Sequence, residues 1–315
     1  MKKIVTILGA RPQFVKAAVL SRVILKHNEV EEVIIHTGQH YDENMSAVFF
    51  NEMEIPNPKY NLAINGLSHG AMTGQMMEKV EEVLLKEKPE IVVVYGDTNS
   101  TLAGALVAKK LHIKVAHVEA GLRSFNMDMP EEVNRILTDR ISDYLFCPTQ
   151  TAVDNLENEG YNNIDVQIVN SGDVMQDAAT FYALKSVERS TVIKDNNLDK
   201  FILTTLHRAD NTDDKQRLTN IVEALNEIHT TVCPVVLPLH PRTKAKLISH
   251  NLKLNVTLID PVGYFDMIEL IKNSSLVMTD SVCLPKEAFF FKKNCVTMRA
   301  QTEWVNWIKA GVNVL

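Results

Sequence analysis

The stretch EIVVVYGD, residues 90–97, runs through TNSTLAGALVAKKLHI, residues 98–113, into KVAHVEAG, residues 114–121. Two short β-branched runs each close in a polar or glycine-containing turn, and a small-residue segment of helical period lies between them. Apolar runs without alternation suit strands buried on both faces, and strand, helix, strand in this order makes a βαβ unit of a parallel sheet. Outward from this unit the alternation recurs in KIVTILG (3–9), EEVIIHTG (31–38), DYLFCPT (143–149) and VQIVNSGD (166–173). It continues in FILTTLHR (201–208), PVVLPLHP (234–241), VTLIDPVG (256–263), SLVMTDS (275–281) and CVTMRA (295–300). The class is therefore α/β. At 315 residues and 45% apolar the chain is long for one core. The pattern lapses at LKSVERSTVIKDNNLDK, residues 184–200, where charge and Asn accumulate. We expect a first Rossmann-like domain over 1–183, a linker region over 184–200 and a second domain over 201–315, each a doubly wound sheet.

A net charge of -6 and a pI near 5.9 argue against nucleic acid or an anionic membrane surface as the partner. A polyanionic ligand must then be met by local cations. Cys147, Cys233, Cys283 and Cys295 lack CxxC or zinc-ligand spacing, which predicts free thiols, no metal site of sulfur and a reducing, cytoplasmic compartment. Met-Lys-Lys runs straight into a strand and no apolar run approaches about eighteen residues, so neither export nor a membrane span is expected.

Ligands of doubly wound sheets sit outside the carboxyl ends of the strands, so the residues after each run are the informative ones. After the first run stand Arg11, Pro12 and Lys16: a proline-started helix with cations, which is an anion site or a solvated helix start. Asp97 follows the run at 90–97 and could be only a helix N-cap. Glu119 lies at a buried strand's end, with Arg123, Glu131, Glu132 and Arg135 beyond it. Carboxylates there are costly unless paired or working, which leaves acid/base chemistry or an Arg–Glu structural network. In the second half His207 and Arg208 end one strand and His240 and Arg242 the next, in the manner of a phosphate-facing wall. Pro261, Gly263 and Tyr264 form a loop suited to a flat base.

Taken together, GARPQFVKAA, HTGQHYDENMS, VYGDTNSTLAGAL, HVEAGLRSFN, MPEEVNRILTD, FCPT, TLHRADNTD and PLHPRT, in this order, resemble the non-hydrolysing UDP-N-acetylglucosamine 2-epimerases across essentially the whole chain. HTGQHYDENMS, DPVGYFDM and QTEWV resemble the branch that includes epimerases of UDP-2,3-diacetamido-2,3-dideoxyglucuronate. The resemblance implies a glycosyltransferase-B-like fold of two Rossmann-like domains around an interdomain cleft, with UDP mainly on the second. It implies reversible inversion at C2 of a UDP-N-acetylhexosamine without an added cofactor, by anti elimination of UDP to a glycal and re-addition, for surface polysaccharide precursors. Carried over residue by residue, Asp97, Glu119 and Glu131 are the acid/base carboxylates and His207 stands near the diphosphate. Arg11 and Lys16 meet phosphate, and Arg135, His240, Arg242, Pro261, Tyr264, Ser281, Glu287 and Arg299 complete the substrate site. A UDP-sugar is the expected partner, and a homodimer the expected assembly.

Three departures fall in the second half. The family's Ser-Gly-Gly-x-Gln-(Lys/Glu)-Glu reads Ser281-Val282-Cys283-Leu284-Pro285-Lys286-Glu287, keeping Ser281 and Glu287 but losing both glycines and the Gln. The family's Arg-Asp-x-Thr-Glu reads Arg299-Ala300-Gln301-Thr302-Glu303. The chain ends at VNVL, where relatives usually continue, so the second domain is expected to be truncated. These changes predict weakened diphosphate binding and impaired turnover, or at the limit a nucleotide-sugar-binding relic. A glycosyltransferase of the same fold is opposed by the three carboxylates, which a transferase has less need of.

Overall fold

The computed structural model describes residues 2–27, 29–39, 55–281, 283–299 and 311–315, and of Arg11 only the backbone. The chain divides into two compact units, Met1–Ala178 and Ala179–Leu315.

In the first unit the order is β1 (Lys2–Leu8), α1 (Arg11–Ile24), β2 (Val30–His36), β3 (Tyr60–Asn61), α2 (His69–Glu87) and β4 (Ile91–Tyr95). Next come α3 (Asn99–Lys110), β5 (Lys114–Val118), α4 (Pro130–Ile141), β6 (Tyr144–Cys147), α5 (Gln150–Asn158) and β7 (Gln167–Asn170). All seven strands are parallel, in the order β3-β2-β1-β4-β5-β6-β7. Val5, Ile7, Val33, Ile35, Val92, Val94 and Val115 bury one face of this sheet against Val80 and Leu84 of α2 and Ala105 and Ala108 of α3. Gly104 permits that approach, because a Cβ there would lie 2.5 Å from Ile7 Cδ1.

The division falls inside α6 (Val174–Arg189), which α7 (Val192–Asp195) follows. The stretch 184–200, read above as a linker region, thus holds the end of one helix and the whole of another. Leu184 and Val187 are exposed, which explains the lapse in periodicity, while Val192 is buried in the second core.

The second unit continues with β8 (Ile202–Thr205), α8 (Ala209–Thr212), α9 (Lys215–Thr231), β9 (Val235–Pro238), α10 (Pro241–Ser249) and β10 (Thr257–Ile259). It closes with α11 (Tyr264–Asn273), β11 (Leu276–Thr279), α12 (Leu284–Phe290), β12 (Cys295–Thr297) and β13 (Asn313–Val314). Its parallel sheet is ordered β10-β9-β8-β11-β12-β13. Leu203, Val236 and Val277 pack with Leu270 and Ile271 of α11, and Ile202, Val235 and Leu237 with Val222 and Leu225 of α9. Burial on both faces is what the unbroken apolar runs require. Each unit is the Rossmann-like doubly wound sheet of the expected class.

All four cysteines are free. Burial pushes the Cys147 and Cys295 thiols up to about 12. Among the described residues no cluster could hold a metal ion, and no helix is long and apolar enough to cross a membrane.

Candidate active site

Strand order reverses between β1 and β4 in the first sheet and between β8 and β11 in the second, and the residues after those strands carry the candidate chemistry. In the first unit the turn after β1 is fixed by Gln13. Its Oε1 accepts from the Gly9 and Ala10 N–H groups at 2.8 and 3.0 Å, while its Nε2 donates to Tyr95 O at 2.8 Å. The start of α1 is thereby tied to the end of β4. Thr98 caps α3, its hydroxyl accepting from Thr101 N, so the N-cap alternative for Asp97 is removed.

Register brings the carboxylates to one edge. Tyr95 pairs with Val118, so Asp97 and Glu119 leave neighbouring strands together. Glu119 forms a buried ion pair with Lys16. A Cβ on Gly96, the residue before Asp97, would lie 3.2 Å from Lys16 Nζ and 3.3 Å from Glu119 Oε2. Asp97 pairs with Arg135 of α4. Arg135 also donates to Glu132 at 2.8 Å, and Asn134 donates to Asp97 O at 2.9 Å.

Pro130 opens α4 and places Glu131 and Glu132 in its first turn, where the helix dipole favours carboxylates. Glu131 is half-buried and shares the helix face of Arg135, four residues on. Glu132 is buried and accepts from the Ser124 and Phe125 N–H groups at 2.9 and 2.8 Å, fixing the loop before the helix. The structural-network alternative is realised alongside through Arg123, with two residues sequence reasoning passed over: Asp139 accepts from Arg123 at 2.7 Å, and Arg123 grips Glu159 with two bonds of 2.7 and 2.8 Å.

In the second unit His207 is exposed after β8, its Nδ1 3.1 Å from Asp280 Oδ1. Asp280, buried after β11, also accepts from the backbone N–H groups of His207 at 3.0 Å and Arg208 at 2.8 Å. Burial alone would push its carboxyl up, but the His207 ring and these N–H groups outweigh burial and hold it below the usual carboxylate value. Asp280 is a further residue missed in the sequence.

His240 caps α10, its Nδ1 accepting from Arg242 N at 3.2 Å, and its ring centroid is 6.4 Å from that of His207. The Arg242 guanidinium is 2.7 Å from Asp213 at the surface. Pro261 is exposed before α11. Tyr264 does not lie in the loop as read above: it opens α11, and its ring is buried edge-on to Tyr182 at 5.7 Å. Burial first and the Glu287 carboxylate second push its hydroxyl well above the usual range.

The Ser281 hydroxyl accepts from Cys283 N at 3.3 Å, and Lys286 and Glu287 are buried in α12. Cys283 has φ -87° and ψ -34°, which any residue adopts, so no glycine conformation is demanded there. Pro285 occupies the first turn of α12, where its missing N–H costs little. Arg299 is half-buried after β12. Val282, the Arg11 side chain and residues 300–303 lie outside the described residues.

The model of the UDP-N-acetylglucosamine 2-epimerase family matches residues 22–315. The UDP-2,3-diacetamido-2,3-dideoxy-D-glucuronate 2-epimerase of Pseudomonas aeruginosa is 60% identical over 313 residues, 99% of this chain and 88% of that protein. Among solved structures, the UDP-GlcNAc 2-epimerase of Methanocaldococcus jannaschii in complex with UDP-GlcNAc and UDP aligns with a TM-score of 0.92 at 46% identity, covering 99% of this chain and 88% of that one. The S. aureus MnaA–UDP structure aligns with a TM-score of 0.89 at 32% identity, covering all of this chain and 84% of that one. With strand-end carboxylates paired to cations on the first sheet, a His–Asp pair on the second, and likeness along nearly its full length, the chain belongs to the UDP-N-acetylglucosamine 2-epimerase family.

Proposed function

We propose that the protein inverts C2 of a UDP-activated 2-acetamido sugar, of the UDP-GlcNAc to UDP-ManNAc type. The observation that carries this reading is the pairing of Glu119 with Lys16 and of Asp97 with Arg135 at one edge of one sheet. Removing a C2 proton and returning it to the other face needs more than one carboxylate held near one carbon, and Asp97, Glu119 and Glu131 are assigned to that work. Loss of the proton drives anti elimination of UDP to a glycal, and re-addition of UDP with protonation from the opposite face gives the epimer. UDP must stay bound as the leaving group. Arg11, His207, His240, Arg242, Ser281, Glu287 and Arg299 are assigned to the nucleotide, with no cofactor required. The free cysteines fit a reducing, cytoplasmic setting in which precursors of surface polysaccharide would be made.

A second reading differs in the sugar: UDP-2,3-diacetamido-2,3-dideoxyglucuronate, favoured by 60% identity to its epimerase against 46% to the M. jannaschii enzyme. Both substrates are tested by proton NMR in D2O. Deuterium should enter C2 of one or both sugars, and the faster exchange names the substrate. No incorporation into either would overturn the proposal.

A further inference from the structure

The ring of His117, in β5 two residues before Glu119, is wholly buried and faces an acceptor on each side. Its Nδ1 is 2.6 Å from Asp139 Oδ1 and its Nε2 is 2.7 Å from Gly96 O. A carbonyl only accepts, so Nε2 donates to Gly96 O, and Nδ1 faces the Asp139 carboxylate at hydrogen-bond distance. The second oxygen of Asp139 accepts from Gly121 N at 3.1 Å and Arg123 at 2.7 Å. One fully buried carboxylate therefore grips the chain on both sides of Glu119. Burial alone would push that carboxyl up; His117 and Arg123 reverse this and hold it below its usual value.

Glu119 needs the grip. Its φ is +72°, in the left-handed region, and that of Gly121 is +77°. A non-glycine residue persists there only where its surroundings over-determine it. The Glu119 and Ala120 N–H groups both donate to Phe146 O, which fixes the turn from the β6 side, and Asp139 fixes it from α4. Through the far nitrogen of His117 the same carboxylate reaches the carbonyl just before Asp97.

We infer that Asp139 is the positioning residue of this edge: through His117 it sets the turn that carries Asp97, and through Gly121 and Arg123 it holds Glu119 in the backbone that meets Lys16. The inference rests on the proposed roles of Asp97 and Glu119. Displacing a catalytic group by about 1 Å costs about a hundredfold in rate, so Asp139→Asn should lower kcat for C2 exchange by about that factor. KM and the Kd for UDP should stay within about threefold, as for an interaction felt in the transition state alone.

Long-range proton–nitrogen spectra of 15N-histidine-labelled protein give a readout independent of activity. In the unaltered chain Nε2 of His117 should carry hydrogen, and Asp139→Asn should move the Nδ1 signal. A bare Nε2 in the unaltered chain overturns the inference whether or not the variant folds. So does a folded variant with unchanged kcat. If the unaltered chain incorporates no C2 deuterium, the proposed function falls instead, and the ring spectrum still decides what Asp139 holds.

Discussion

The carboxyl edges of the two sheets are built from similar strands and finished in opposite ways. On the first, Lys16, Arg135, Glu132, His117 and Asp139 are buried and nearly every charge is tied to another side chain. On the second, Asp280, Lys286 and Glu287 are buried, while His207, His240 and Arg242 stand at the surface. Groups that exchange a proton with one carbon must be in place before the substrate arrives, and pre-formed ion pairs put them there. A diphosphate brings its own charge and can order exposed cations on arrival. The contrast matches the division of labour proposed above.

Glu119→Gln attacks the rigid edge and should have the largest effect, lowering C2 exchange by about a thousandfold. Breaking the buried Lys16–Glu119 ion pair should also lower stability, by about 3 kcal/mol in denaturant titration. Adding Lys16→Met should restore stability and not exchange. If Glu119→Gln alone keeps its stability, the edge is looser than the comparison holds.

Asp280→Asn attacks the anchor of the other edge and should weaken UDP binding by about thirtyfold in calorimetry, through the loss of charge-assisted bonds to His207 and Arg208. Its pH signature has a definite sign. The folded pKa of Asp280 is depressed, so its stabilisation is complete above the unfolded value of about 4 and is lost as pH falls through the folded value. The variant should be less stable at neutral pH and lose less on acidification; an unchanged acid limb would mean that Asp280 is not so anchored.

Restoring the family residues by Val282→Gly, Cys283→Gly and Pro285→Gln should tighten UDP by about tenfold if the segment touches the diphosphate. Equal affinities would move the diphosphate elsewhere. Arg242→Ala should have the smallest effect, a loss of about fivefold in UDP affinity with no change in melting temperature, because its exposed pair with Asp213 adds little to stability while its charge is recruited by the diphosphate. An unchanged affinity would show that the exposed cations of this edge are not recruited by ligand.

The eleven strand runs read from the sequence all form strands. The central ones are apolar runs buried on both faces, with no periodicity to misread, and the exposed edge strand β7 was legible only from its short β-branched run and the turn that closes it. The two-residue edge strands β3 and β13 were not legible, since two residues carry no pattern. Asp97, Glu119 and Arg135 stood out by position at a strand end or a helical step from it. Which of Glu131 and Glu132 turns inward depends on helix phase, a rotation of about 100° per residue that adjacent identical residues cannot reveal. His117 had left a signal, an ionisable ring inside an apolar strand. Its partner Asp139 lies on another element, and no spacing names it. Tyr264 was misplaced because a helix begins at it, turning the ring from the loop into the core.

The cysteines turn the difference in burial into a chemical handle. Cys147 and Cys295 are enclosed and their thiols stay protonated, whereas Cys233 and Cys283 are half-exposed, both in the second unit. A maleimide dye applied to the native chain would therefore mark that unit and leave the other unlabelled. After Cys233→Ser, Cys283 alone would carry the dye, two residues from Ser281. If the segment meets the proposed nucleotide, a dye there would report its occupancy with no cysteine to be introduced.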